Sequence, residues 1–323
     1  MNMMRNVLLG SAGTGTAFAA ACALRKVWGA EVKIVAIDTN PKHLCTTSLL
    51  AEHYQQMLPF NDKKFPAQIA QVIHDYEIDT YLPLFPQEIL VAIKYLRDNP
   101  NKILYKKLIP SSISGNLCAD KLKLMDFLNS EKIPVPHTSL ADKPFDSEFY
   151  FMKPRCGQGS KGARGILKGD LDSISENDRN SYIVQELCQG PEITVDAFSD
   201  SQNIYTFAIC RERIEVKNGV CTKARVFVDD ELLNLAKKLS SLLALEGCFC
   251  FQIMRDSSGR NVVTDLNPRP GAGTAISVAT GNDFFAATFA NAWEQDYQRY
   301  FSILKHDTFV TRQFCEFIMP PLV

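Results

Sequence analysis

Residues 262–274 read VVTDLNPRPGAGT, and within them Asp265, Asn267 and Arg269 occupy every second position. Alternate side chains of a strand project from one face, so a strand here aims a carboxylate, an amide and a guanidinium at one place. Just upstream, CFCFQIMR (248–255) and RNVVTDLN (260–267) flank the turn DSSG (256–259), the pattern of a β-hairpin. Centring that turn between Ser258 and Gly259 sets Gln252 opposite Asp265. Cross-strand neighbours on one face lie roughly 4.5–5.5 Å apart at Cβ. Gln252, Asp265 and Asn267 then offer a compact set of hard oxygens. With no imidazole or thiolate among them, they suit Mg²⁺ or Mn²⁺, which takes its remaining ligands from water and a nucleotide's phosphates. Arg269 would hold an anionic group beside the metal. A solvated polar hairpin face fits the same pattern, although Pro268 and Pro270 are unusual in an exposed strand.

Working outward, residues 6–110 alternate strands and helices: NVLLG, an Ala-rich helix from Thr16 to Trp28, VKIVAID, a helix from Pro66 to Tyr76, and IDTYLPL. This βαβ order predicts an open, Rossmann-like parallel sheet covered on both sides. LCADKLKLMDFLNSEK (117–132) reads as one helix, closed by the two prolines of IPVPHT, which mark a domain linker. From Phe149 to about Ser199 short β runs predict antiparallel sheet. Glu231 to Leu245 carries a leucine stripe at helical spacing, ended by Gly247.

The composition excludes several classes. The chain has 323 residues, 22 % charged and 46 % hydrophobic, with a formal net charge of −1. It is globular, with no whole-protein attraction to nucleic acid or an anionic membrane. Its ten cysteines lack CxxC or Cys/His spacing and read as reduced cytoplasmic thiols. Glycines interrupt the apolar N-terminal run, and polar RKVWGAEVK follows it, against a signal peptide. The five histidines (His43, His53, His74, His137, His306) form no recognisable motif.

Two further stretches carry chemistry. KPRCGQGSKGARG (153–165) places glycines and Ser160 between strands, where main-chain N–H groups can turn toward a phosphate while Lys153 and Lys161 bring positive charge. It is no Walker A sequence, and a surface hairpin is the alternative. VQELCQGPEITVD (184–196) offers main-chain groups for an adenine edge and Glu192 for ribose hydroxyls, or simply a buried strand and a Gly-Pro turn.

In order and spacing these motifs, with NVLLGSAGTG, IDTYLPLFPQEI and ADKLKLMDFL, resemble an ATP-grasp enzyme over nearly the whole chain, closest to the carbamoyl phosphate synthetase large-subunit type. The resemblance implies a Rossmann-like α/β domain (1–110), a helical linker segment (111–145), a small antiparallel lid subdomain (146–190) and a larger α+β subdomain (191–323). It implies that Lys121 and Lys153 grip ATP phosphates under a flap containing Gly157, Gly159, Ser160 and Gly162. Glu186, Leu187 and Cys188 fall where the hinge reads adenine, and Glu192 where the ribose is held. Gln252, Asp265 and Asn267 match the magnesium ligands, and Arg269, with Lys153, the catalytic cations. Many members carry two acidic ligands where this chain has Gln252 and the shorter Asp265, which weakens the case for two metals. Ser11, Glu88, Arg211 and Arg213 are candidates for contacting substrate.

The activity implied is ATP-dependent ligation of a small carboxylate to an amine or thiol through an acyl phosphate, with a homodimer left open. Two rivals stand beside it: a non-catalytic ATP-binding module, and an NAD(P) enzyme built on GSAGTG and Asp38. Those glycines are ordered GxxGxG rather than GxGxxG.

Overall fold

A computed structural model describes residues 4–99, 108–157, 162–217 and 219–320. Its first unit is a parallel sheet of β1 (Arg5–Leu9), β2 (Val32–Asp38), β3 (His53–Gln56) and β4 (Thr80–Leu82), in the order β3-β2-β1-β4. Helix α1 (Gly15–Trp28) crosses from β1 to β2, α2 (Phe65–Asp75) precedes β4, and α3 (Pro86–Asp98) follows it. Alternation along β1 shows why both faces are covered. Val7 and Leu9 pack with α1, whereas Leu8 packs with Phe65 and Ile69 of α2. Short, polar β3 and the helix α3 were not foreseen from the sequence.

The stretch expected as one helix is two, α4 (Ser112–Cys118) and α5 (Lys121–Ser130). Asp120 divides them: its carboxylate accepts from Leu122 N and Lys123 N at 3.2 and 3.3 Å, capping α5. The proline segment beyond is bonded to the body of the protein, with Val263 N donating to Pro134 O at 2.9 Å. It leads into a second sheet of β5 (Thr138–Leu140), β6 (Phe149–Pro154), β7 (Arg164–Leu167) and β8 (Tyr182–Gln185), antiparallel in the order β5-β8-β6-β7. Two short helices, α6 (Lys168–Asp172) and α7 (Glu176–Arg179), connect β7 to β8.

The third sheet has six antiparallel strands in the order β13-β12-β9-β10-β11-β14. They are β9 (Gln189–Ser199), β10 (Thr206–Lys217), β11 (Val220–Phe227), β12 (Gly247–Arg255), β13 (Asn261–Asn267) and β14 (Thr308–Thr311). Helix α8 (Asp230–Leu243) buries Leu232, Ala236, Leu239 and Leu243 against Val195, Phe249 and Phe251. It ends at Ala244 in the left-handed region (φ 48°), earlier than the expected stop at Gly247. Gly247 begins β12, where a Cβ would lie 2.8 Å from Thr288 Cγ2. Helices α9 (Thr274–Ala279) and α10 (Phe284–Ala292) follow β13. Phe285 and Phe289 of α10 share one core with α1, so the parallel unit is packed onto the six-stranded unit.

The hairpin register is right at the site and wrong at the turn. Gln252 pairs with Asp265 as expected, but Ile253, expected opposite Thr264, pairs with Val263. Thr264 is therefore the extra residue of a β-bulge, and the loop is the five residues Asp256–Arg260, closed by Asp256 N donating to Arg260 O at 3.0 Å. Without that insertion, the one-residue shift would turn Asp265 and Asn267 to the opposite face.

All ten cysteines are free thiols. Among the described residues no helix is long and apolar enough to cross a membrane.

Candidate active site

The carboxylate and amide of β13 meet the guanidinium singled out with them, although β13 ends at Asn267 and Arg269 follows in the bend beyond it rather than in the strand. Asn267 Nδ2 donates to Asp265 Oδ2 at 3.2 Å, and Arg269 Nη2 donates to Asn267 Oδ1 at 3.3 Å. Arg269 also donates Nη1 to Pro270 O at 2.8 Å. Burial lowers the Arg269 pKa, opposed by nearby charges that include Asp265 and Glu88. Among the described residues no three His, Cys, Asp or Glu side chains cluster as a metal site. The donor set at the hairpin is one carboxylate and two amides, which fits a hard cation whose other ligands are phosphate oxygens and water. It fits a transition-metal centre poorly.

Lys153, on β6 of the four-stranded sheet, crosses to this hairpin. It is buried, and its Nζ donates to the carbonyl of the bulged Thr264 at 2.8 Å. Bulges re-aim the chain, and this one turns a carbonyl toward the ammonium. Burial pulls the Lys153 pKa down to about 8. Asp265 and Glu192 oppose that shift, and the like charge of Lys121 adds to it. Lys121, first residue of α5, donates Nζ to Gly157 O at 2.7 Å. The start of α5 is fixed by Asp120, which pairs with Arg155 Nη2 at 2.7 Å, and by Lys121 N, which donates to Arg155 O at 2.9 Å. Gly157 and Gly162 have φ of 112° and 78°, a region that glycine enters without strain. Gly159, Ser160 and Lys161 lie outside the described residues.

Glu186, Leu187 and Cys188 link the last strand of the small sheet to β9 of the large one. Glu186 N donates to His137 O at 3.0 Å, and Glu186 Oε1 accepts from His137 N at 2.8 Å, clamping this crossing. Leu187 is exposed, and burial pushes the half-buried Cys188 thiol up to about 11. Glu192 pairs with Arg213, which also donates to Gly219 O at 3.1 Å. Arg213 is thus engaged with the expected ribose acid.

The other substrate candidates divide. Ser11 and Glu88, 77 residues apart, meet across the parallel sheet: Ser11 Oγ donates to Glu88 Oε2 at 3.0 Å. Glu88 also accepts from Tyr81 Oη at 2.7 Å and Leu84 N at 3.1 Å, yet burial pushes its carboxyl up to about 7. It sits against Gly10, where a Cβ would lie 1.7 Å from Oε1, so only glycine fits there. Arg211 is buried on β10 and paired side-on with buried Asp196, Nε at 2.6 Å and Nη2 at 3.1 Å. Arg312, just past β14, reaches the same region by donating Nη1 to Ala272 O at 3.0 Å. It was missed in the sequence, where no motif surrounds it.

The geometry argues against a dinucleotide at the first loop. Asp38, the acid such a reading requires, accepts from Gly13 N at 2.7 Å and from Asn40 N at 2.9 Å. Carboxylate and glycine N–H are spent on each other, so neither is directed to a ribose or pyrophosphate.

Comparison with known proteins agrees with this layout. The model of the ATP-grasp domain matches residues 118–273. No curated protein matches the sequence. Among solved structures, an L-amino acid ligase from Bacillus licheniformis superposes with a TM-score of 0.69 at 14 % identity, over 89 % of this chain and 74 % of that one. The biotin carboxylase domain dimer of Hydrogenobacter thermophilus 2-oxoglutarate carboxylase, solved with MgADP, ADP and bicarbonate, gives 0.71 at 13 % identity over 94 % and 71 %. Rhizobium etli pyruvate carboxylase, solved with acetyl coenzyme A, gives 0.69 at 14 % identity over 88 % of this chain, which spans only 28 % of that one. At such identities the likeness is one of fold. A parallel α/β unit, two antiparallel sheets meeting at a lysine and a polar hairpin, and the matched segment lead to one conclusion: the chain carries an ATP-grasp domain at residues 118–273.

Proposed function

We propose that this protein is an ATP-dependent ligase that activates a small carboxylate as its acyl phosphate and joins it to an amine or thiol, releasing ADP and phosphate. The observation that carries the reading is the Lys153 Nζ to Thr264 O bond of 2.8 Å, which draws the lysine of one sheet beside Asp265 of the other. Carboxylates do not condense with amines at neutral pH because oxide is too poor a leaving group. Phosphorylation replaces it with phosphate, and phosphoryl transfer is catalysed mainly by positioning and charge neutralisation.

In this scheme Lys153 and Lys121 hold the phosphates and Glu186–Cys188 line the adenine. Arg269 steadies the group being transferred. Gln252, Asp265 and Asn267 would hold magnesium, whose chemistry is to neutralise charge on the phosphate oxygens. The MgADP bound by the 2-oxoglutarate carboxylase domain and the ligase activity for which the L-amino acid ligase is named support the same assignment. ATP as co-substrate also suits a cytoplasmic location.

Purified protein with Mg-ATP and a matrix of carboxylic acids and amines should release ADP only when both an acid and an acceptor are present. Release that no acid stimulates would contradict the reading.

Lys153 also sets a pH dependence. Below pH 8 its ammonium is charged, whereas above pH 8 the free protein holds it neutral and must take up a proton to bind a phosphate. Calorimetric titration of ADP is therefore expected to show about tenfold weaker binding at pH 9 than at pH 7. Lys153→Met should bind weakly with no such slope, and a slope that survives the substitution would assign the proton elsewhere.

A further inference from the structure

Three guanidinium groups from distant parts of the chain converge on the turn Pro270–Gly273. Arg269 donates to Pro270 O at 2.8 Å and Arg312 to Ala272 O at 3.0 Å. Arg211 lies against Gly273, where an added Cβ would sit 2.3 Å from its Nη1. Each is held in place independently. Arg312 N donates to Thr222 O at 2.8 Å, fixing the segment beyond β14 beside β11. Arg211 is oriented by Asp196, whose carboxylate also accepts from Thr274 Oγ1 at 2.9 Å and Ser277 Oγ at 2.6 Å.

Asp196 balances Arg211, but no carboxylate among the described residues balances Arg312. Side-on pairing with Asp196 uses Nε and Nη2 of Arg211 and leaves Nη1 without a hydrogen bond among the described residues. Arg312 forms no ion pair among the described residues, and burial, then the like charge of Arg211, pulls its pKa below the usual arginine value. Asp196 holds the Arg211 pKa above the usual arginine value, so it is Arg312 whose charge an added anion would stabilise. Guanidinium edges favour planar, bidentate anions such as carboxylate.

We propose that Arg211 Nη1 and Arg312 form a subsite for a second, non-reacting carboxylate of the acid substrate, beside the reacting group at Arg269. The identity of the reacting group rests on the ligase reading above. Pro270 and Ala272 are two residues apart, at most about 7 Å along the chain. The carbonyls that hold the two arginines are therefore within one small molecule's length of each other, which suits a short-chain diacid. The substrate class is a small dicarboxylate or an acidic amino acid, and a monocarboxylate leaves the subsite empty.

Calorimetric titration of the full chain with succinate, glutarate, L-aspartate, propionate and inorganic phosphate, with and without MgADP, tests this. At least one diacid should bind ten or more times tighter than propionate. Arg312→Gln should remove that preference while MgADP affinity stays at the wild-type value. Gly273→Ala, whose methyl displaces the Arg211 guanidinium, should do the same and serves if the first variant folds poorly. Diacids no tighter than propionate, a preference surviving in both variants, or phosphate outcompeting every diacid would overturn the subsite. Failure of MgADP to bind wild-type protein would instead strike the ligase reading, since the acid titrations are judged without nucleotide as well.

Discussion

Asp265→Ala is expected to lower the rate of acid-dependent ADP formation by about 10²–10³-fold while leaving the fold intact. Asp265 supplies the only carboxylate of the hairpin donor set, so its loss removes the formal charge that would balance a cation there. It accepts a bond from Asn267 at 3.2 Å and is only half buried at the end of β13. Substitutions at such positions usually change stability by no more than about 0.5 kcal/mol. Steady-state ADP release beside a thermal melt separates the two effects. Wild-type turnover in Asp265→Ala would remove the metal from this hairpin, and Asp265→Asn, which keeps the shape and loses the charge, should be impaired as well.

Asp196→Ala is expected to act the other way, through stability. Asp196 is fully buried and accepts from buried Arg211 and from the hydroxyls of Thr274 and Ser277. Removing it strands a guanidinium and two hydroxyls in the interior, and breaking a buried pair from one side costs about 3–5 kcal/mol. Urea unfolding should show a midpoint lowered accordingly, with Asp196→Asn intermediate. A change under about 1 kcal/mol would mean that water reaches Arg211 and relieves its charge.

Where residues carry a periodic or chemical signal, the sequence foretold the structure closely. The apolar run of β2 and the leucine stripe of α8 lie where pattern places them, because alternate or every-third-or-fourth burial leaves a readable period. Elements whose determinants are tertiary were not legible. Polar β3 is a strand because it extends the sheet beside β2, not because its residues favour one. The split between α4 and α5 depends on Asp120 finding both its own helix and Arg155. Ala244 takes a left-handed conformation that residue preference assigns to glycine.

The site divides in the same way. Asp265 and Asn267 were legible because a strand's period is fixed, and Gln252 because a hairpin pairs its arms, whereas Arg269 follows the end of β13 and joins them by donating to Asn267. The Thr264 bulge carries no Gly or Pro signal, yet it corrects the register and offers the carbonyl that Lys153 finds. Arg213 reads like Arg211 in the sequence, and only the fold shows one beside Glu192 and the other beside Asp196. Arg312 lies far from every motif and joins the turn only through the pairing of β14 with β11.

Lys153 of the small sheet, Lys121 of α5 and the late hairpin are held to grip one nucleotide between them. The most direct measurement is a crystal structure of the protein with magnesium and a nonhydrolysable ATP analogue. Phosphates are expected within hydrogen-bonding distance of Lys153 and Lys121, and a metal bound to Asp265. A nucleotide seated instead on the Gly10–Gly15 loop, with that cleft holding only solvent, would contradict this placement.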